Sequence, residues 1–269
     1  MDWTQEAEAA IKKVPFFVRK KVRTHVEEET RKAGKATVSL SDVRLIQKRY
    51  FSKMSEEIKG YQLETCFGIG GCPNRAVKSD KLLEKLEELL DEAKIREFLE
   101  ERVEGSLKHH HEFRVALADC PNACSQPQIK DMGIIGASEP IVTAETCSLC
   151  HACEDCCKEK AIILKEQAEI PVIDDVRCIR CGKCIAVCPT GTLASGKEGY
   201  RVLLGGKLGR HPRLAEELPE MYAEDEVILI LEQCIDFYKR KSEHGERFAE
   251  IFDNVESLGL KFDSTLNQR

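Results

Sequence analysis

The chain has no apolar run near the roughly 20 residues that a membrane-spanning helix needs, so no membrane span is expected. It has no excess of positive charge: 41 lysines and arginines face 47 aspartates and glutamates, a formal net charge of −6. Phosphate backbones are bound by a basic face, so nucleic acid is not an expected partner. The opening residues Met1-Asp2-Trp3-Thr4-Gln5-Glu6 lack the basic-then-apolar order of a secretory signal, and a cytoplasmic location is the default expectation. Residues 1–58 contain no cysteine.

The remaining residues hold fourteen cysteines, far more than an ordinary cytosolic chain. In a reducing compartment they read as metal ligands rather than disulfides. Two pairs stand apart, Cys66-x5-Cys72 and Cys120-x3-Cys124. Four thiolates from two distant loops suit a [4Fe–4S] cluster, with one sulfur per iron. A zinc site, or four unrelated core cysteines, would use the same residues. Gly68, Gly70 and Gly71 between the first two ligands let the backbone approach and aim N–H groups at sulfur. Asn122 can donate from its amide, and the nearby Arg75 is either an anion-facing cation or a solvated surface residue.

Eight more cysteines form two runs. Cys147-x2-Cys150-x2-Cys153-x3-Cys157 is followed by Cys178-x2-Cys181-x2-Cys184-x3-Cys188-Pro189. This is the bacterial two-cluster ferredoxin pattern, in which the fourth cysteine of each run serves the other cluster. One cluster is then expected on Cys147, Cys150, Cys153 and Cys188, the other on Cys178, Cys181, Cys184 and Cys157. Lys158 stands where the pattern has proline. Cys156 and Cys234 are left over, Cys234 at core spacing in a helix. Exposed clusters are oxygen-sensitive, so an anaerobic host is expected.

The string Cys66-x5-Cys72 with Cys120-Pro121-Asn122-x-Cys124-x-Gln126-x-x-Ile129-x-Asp131-x-Gly133-x-x-Gly136 resembles the sirohaem–[4Fe–4S] half of sulfite and nitrite reductases. A ferredoxin insert after the second pair is also seen in dissimilatory and coenzyme-linked members. The resemblance implies three [4Fe–4S] clusters and sirohaem, with Cys124 bridging to the sirohaem iron. It implies that Asn122, Lys207, Arg210 and Arg213 contact the cofactor, whose carboxylates suit a cationic glycine-rich loop. It further implies that Arg75, Arg114, Lys130 and Lys207 face a small oxyanion, sulfite first and nitrite second. Electrons would come from a protein donor through the ferredoxin unit. Members of the family have two related halves and this chain shows one, so either Arg75, Arg114, Lys130, Lys207 and Arg210 build a reduced site or a partner chain or second copy completes it. A non-catalytic electron-transfer protein with three clusters and no sirohaem accounts equally for the cysteines.

The N-terminal residues Trp3-Thr4-x-Glu6-Ala7-Glu8, Val14-Pro15-Phe16-Phe17-Val18-Arg19 and Arg23 resemble a small helical domain at the C-terminus of one subunit of dark-operative protochlorophyllide reductase. That resemblance implies either a place beside a tetrapyrrole or a helical adaptor. The expected fold class is α+β. The expected domains are a helical domain at 1–58, a reductase-like domain at 59–145 and 190–269, and a ferredoxin insert at 146–189. Helices are expected at 2–14, 15–32, from the Ser39 or Ser41 cap to 54, from the Ser79 or Asp80 cap to 103, at 224–240 and at 246–260. Strands are expected at 113–118, 133–137, 161–164, 171–173 and from 199 into the glycine-rich loop. His109-His110-His111 point different ways from adjacent positions and are not expected to share a metal.

Overall fold

The computed structural model describes residues 1–68, 70–165 and 170–260, with the side chains of 51–56 also outside the description. It divides into two compact units, one of Met1–Lys59 with Val103–His110, the other of Gly60–Arg102 with the residues from His111 on. The fold class is α+β, as the sequence predicts. Among the described residues no helix is long and apolar enough to cross a membrane.

The first unit pairs two short parallel strands, β1 (Asp2–Trp3) and β2 (Thr37–Val38). Around them lie α1 (Gln5–Lys12), α2 (Phe16–Lys32) and α3 (Leu40–Glu56). Thr4 caps α1 by accepting from the Ala7 N–H, which satisfies one of the orphan donors of a helix start. Ala7, Val26, Val38, Val43 and Ile46 form its core. Trp3 lies on the edge of that core, donates its indole N–H to Glu27 and lies under the Arg23 guanidinium. Phe16 and Phe17, beside the Pro15 that ends α1, are exposed.

The second unit is built on a five-stranded sheet. Its strands are β3 (Tyr61–Thr65), β4 (Phe113–Ala118), β5 (Met132–Val142), β8 (Leu193–Leu204) and β9 (Glu216–Tyr222), in the order β3-β4-β5-β8-β9. β3, β4 and β5 run parallel, and β8 and β9 are antiparallel additions. Val115–Ala118 and Met132–Ser138 are buried in unbroken runs, so neighbours on opposite faces are both covered, the pattern of a sheet packed on both sides. Two helices, α4 (Asp80–Glu92) and α5 (Ile95–Arg102), follow β3, and α8 (Glu224–Lys241) packs against α4. Cys234 is wholly buried on α8, a core residue as its spacing predicts.

Three expectations need correction. The helix expected from 79 to 103 breaks at Lys94, whose φ is 47°, and Ser79 makes no side-chain cap bond. The helix expected over 246–260 is two short ones, α9 (Phe248–Ile251) and α10 (Val255–Leu258), the second capped by Asn254 accepting from Ser257. The strand expected at 133–137 is much longer, because its second half pairs only with β8.

Asp131 ties the sheet to the C-terminal segment. Its carboxylate accepts from the Arg114 N–H at 2.9 Å and the Ala249 N–H at 3.1 Å, in a fully buried place. Burial outweighs these bonds and raises its pKa to about 6. The unfolded chain, with a value of ~3.9, loses this proton first as pH rises, so stability falls through the interval up to pH 6. From pH 5 to 7 the expected loss is roughly 1 kcal/mol. Anaerobic urea midpoints should show it, and Asp131→Asn should flatten it. An equal slope in the variant would exclude this residue as its source.

Candidate metal centre

Adjacent parallel strands end at the same edge of a sheet, and loops leaving their carboxyl ends meet there. Cys66 follows the last residue of β3 directly, and Cys120 lies two residues past β4. Cys66 N–H donates to the Leu117 carbonyl, which holds the first loop to the second strand. The Cys66 sulfur accepts from the Gly68 and Asp119 N–H groups, each at 3.3 Å. Cys124 sulfur accepts from the Asn122 amide at 2.9 Å. Asn74 offers a longer, 4.0 Å contact to Cys72. Ala123 between the last two ligands takes a left-handed φ of 53°, a strained conformation for a non-glycine residue. Burial pushes the Cys120 thiol up, and the nearby Cys66, Cys124 and Cys72 push it further. Cys66, Cys72 and Cys124 are thus neighbours of Cys120, with donors aimed at the Cys66 and Cys124 sulfurs. Such a crowd is poorly stable as thiolates until cations neutralise it, which fits a bound iron–sulfur cluster.

Asp119 is the residue that sequence reasoning missed. Its carbonyl accepts from Ala76 and Val77, and its side chain, 1% exposed, lies 2.5 Å from the Arg75 Nε. That contact is not aligned as a hydrogen bond, since both atoms lack one. Arg75 also donates to Asp80 at 2.7 Å. A Cβ at Gly68 would collide with the Asp119 carboxylate, so only glycine fits this crossing. The pair clamps the two cysteine loops together. Its only visible signal is a charged residue ending an apolar strand. Arg75→Met should therefore cost about 3 kcal/mol, the scale for orphaning a buried charge, and lower iron content. Unchanged unfolding midpoints with a raised substrate KM would instead mark Arg75 as an anion-binding group.

The other predicted cations lie elsewhere. Residues 125–131 cross the sheet, with Ser125 donating to the Leu117 carbonyl and Pro127 against Gly133. Arg114, Glu64 and Gly133 share that face by register, while Val77 packs on Gly136, three residues along and on the opposite face. Lys130 is paired with Glu64 at 2.5 Å. Arg114 keeps a buried Nε with no hydrogen-bond partner. The glycine-rich loop leaves β8 at the Met132 end and folds onto Gln128–Lys130. Gly205 (φ 76°) abuts Phe252 with no room for a Cβ. Arg213 donates to the carbonyls of Gly205, Ala249 and Phe252, which gives it a loop-holding job. Among the described residues Lys207, half-buried, and Arg210, exposed, have no ion-pair partner. The Cys120 end and the Lys207 end are about 10 Å apart, three residues of strand rise.

Both ferredoxin-type runs take the same backbone path. Left-handed φ values recur at Leu149 and His151, then at Arg180 and Gly182, ahead of the short helices α6 (Ala152–Cys156) and α7 (Lys183–Val187). A two-stranded sheet of β6 (Ile162–Lys165) and β7 (Ile170–Ile173) completes the insert. Cys147, Cys150, Cys153 and Cys188 line a hollow of about 290 Å³, its open mouth included, with Leu164, Pro171 and Leu193. Burial raises the Cys178 thiol, with Cys181 and Cys157 as neighbours that add to the rise. Cys188 thus stands with the first run, and Cys157 lies near Cys178 of the second. Among the described residues no three His, Cys, Asp or Glu side chains are placed to hold a single metal ion. Zinc with four thiolates at ~2.3 Å would draw the sulfurs to about 3.8 Å from one another.

The insert grows from the hairpin of β5 and β8, past the end of β4. Ser138 N–H donates to the Arg180 carbonyl at 2.8 Å, and Ser138 bridges Cys181. Ser138 is three residues beyond Ile135, the partner of Ala118, or about 10 Å along the strand. Leu193, whose N–H reaches the Cys188 sulfur, pairs with Val142, about 23 Å along. The Cys178 set is therefore nearer the Cys66–Cys124 loops than the Cys147 set.

Residues 62–260 match the family described as nitrite and sulphite reductase 4Fe-4S domain, and residues 3–46 match proto-chlorophyllide reductase 57 kD subunit. The chain is 30% identical over 147 residues to coenzyme F420-dependent sulfite reductase of Methanocaldococcus jannaschii, covering 54% of this chain and 23% of the relative. It is 59% identical over 39 residues to a light-independent protochlorophyllide reductase of Chlorobium limicola, covering 14% of this chain and 7% of that one. It thus spans under a quarter of the first and under a tenth of the second. The crystal structure of dissimilatory sulfite reductase I (DsrI) shares the fold over 82% of this chain and 59% of that one, with a TM-score of 0.50 and 18% identity. The matched span takes in both cysteine pairs, the insert and the return strands, and by it the chain belongs to the nitrite and sulphite reductase 4Fe-4S domain family.

Proposed function

We propose that the chain is a sulfite-reductase-type redox module, passing electrons from an inserted ferredoxin unit toward sirohaem, where a small oxyanion is reduced. Sulfite is the first candidate and nitrite the second. The carrying observation is that Cys66 and Cys120 emerge at one sheet edge, beyond which the β5–β8 hairpin holds the two ferredoxin-type sets in line. Cys66, Cys72, Cys120 and Cys124 would hold one [4Fe–4S] cluster and the eight cysteines of the insert two more. Bound there, these groups and sirohaem supply the one-electron steps and the multi-electron reduction.

The protein's own part is placement and charge. Asn122 and the Gly68 and Asp119 N–H groups donate to the sulfurs that would hold the cluster, the kind of hydrogen bond that tunes its potential. Arg114, Lys207 and Arg210 offer positive charge along the sheet face that begins at Cys124, matching a flat ligand rich in carboxylates. Lys130, neutralised by Glu64, orders that face. A protein donor would meet the outer, Cys147, end of the insert.

A second reading is an electron carrier without sirohaem. It is favoured by the commitment of Arg75, Lys130 and Arg213 to the chain's own acceptors, which leaves few cations for substrate. The visible spectrum of anaerobically purified protein separates the two. Sirohaem bands, with viologen-linked turnover of sulfite or nitrite, support the reductase. A plain brown iron–sulfur spectrum after reconstitution with sirohaem supports the carrier.

A further inference from the structure

A further thiol, Cys156, packs with Cys157 on the core that holds Cys184 of the second ferredoxin-type set. Cys156 ends α6 and stands three residues after Cys153, on the same helix face. Its Sγ donates to the Cys153 carbonyl at 3.4 Å, and it packs on the buried core that holds Cys153 and Cys184. The helices α6 and α7 are in contact. The repeat of this position in the other run is Val187, three residues after Cys184, which is 41% exposed. The turn therefore does not itself require a thiol. Cys157, the expected fourth ligand, has its sulfur held by the Ala161 N–H at 3.3 Å.

We propose that Cys156 is an alternative fourth ligand of the cluster held by Cys178, Cys181 and Cys184. Cys157 takes the place first because its sulfur already accepts an N–H. When Cys157 is absent, Cys156 leaves the Cys153 carbonyl, gives its proton to solvent and forms the iron–sulfur bond as a thiolate. No electron is gained or lost in this exchange. The inference rests on the reading of the insert as a two-cluster ferredoxin unit, and wild-type protein without those clusters would overturn both.

The test uses the full chain, reconstituted anaerobically with iron and sulfide. The variants are Cys156→Ala, Cys157→Ala and the double substitution. Iron and acid-labile sulfide are counted, and EPR spectra are recorded oxidised and reduced. Cys156→Ala should match wild type. Cys157→Ala should keep its iron, show no three-iron signal when oxidised, and give a shifted reduced signal. The double variant should show a three-iron signal or lose about four irons, with the Cys147 set intact as an internal control of folding. A three-iron signal or loss of the cluster in Cys157→Ala alone, equal to the double variant, would overturn the proposal.

Discussion

Replacing residues 144–191 with an Asn-Gly turn is expected to remove about eight irons and stop reduction by a protein donor, while a small viologen still reduces the remaining centre. The graft is physically reasonable because the ends of the insert are already a hairpin. Thr143 N–H donates to the Thr192 carbonyl at 2.8 Å, and Val142 faces Leu193 across the ladder. Two residues in a type I′ turn close such a stem without strain. The sheet keeps β3, β4 and both cysteine pairs, none of which lies in the deleted segment. The large effect follows from distance. The outer end of the insert lies about 23 Å along the strand from the Cys120 end, and the deletion removes both that docking end and the relay across it. Normal donor-driven rates in the shortened chain would show that the insert is no conduit.

Cys124→Ser should have the opposite signature: the insert keeps about eight irons, and the remaining centre loses its electronic coupling to sirohaem. Cys124 is the most exposed of its four thiols, on the loop where Ala123 is held left-handed. Exposure is what a sulfur needs to touch a second cofactor beyond the cluster. Serine keeps the size but offers a weak ligand in place of a thiolate. Asn122→Ala, which removes the 2.9 Å donor to that sulfur, should leave the irons in place and shift the reduction potential of this centre downward. Unaltered coupling in Cys124→Ser would exclude the bridging role.

The cysteine-bearing parts were legible because ligand-type patterns have short, fixed spacings. The cysteine runs, the strand Phe113–Ala118 and the core position of Cys234 all stand where local pattern puts them. The break at Lys94 was not legible, since neither glycine nor proline marks it and leucines continue on both sides. Edge strands β3 and β9 were hidden by glutamates that break their apolar pattern, as an edge tolerates. The fate of the cations was least readable. Arg75, Lys130 and Arg213 look alike as free charges, yet Asp119, Glu64 and the Ala249 and Phe252 carbonyls that hold them are 36 to 66 residues away in sequence. Local reading sees a residue's chemistry but not the partner that the sheet brings to it.

The most direct test is the metal content of the anaerobically reconstituted wild type, counted together with the thiols left open to alkylation. The account predicts about twelve irons and as many sulfides per chain, no zinc, and protection of Cys66, Cys72, Cys120 and Cys124. About eight irons with those four cysteines alkylated, or one zinc in their place, would contradict it.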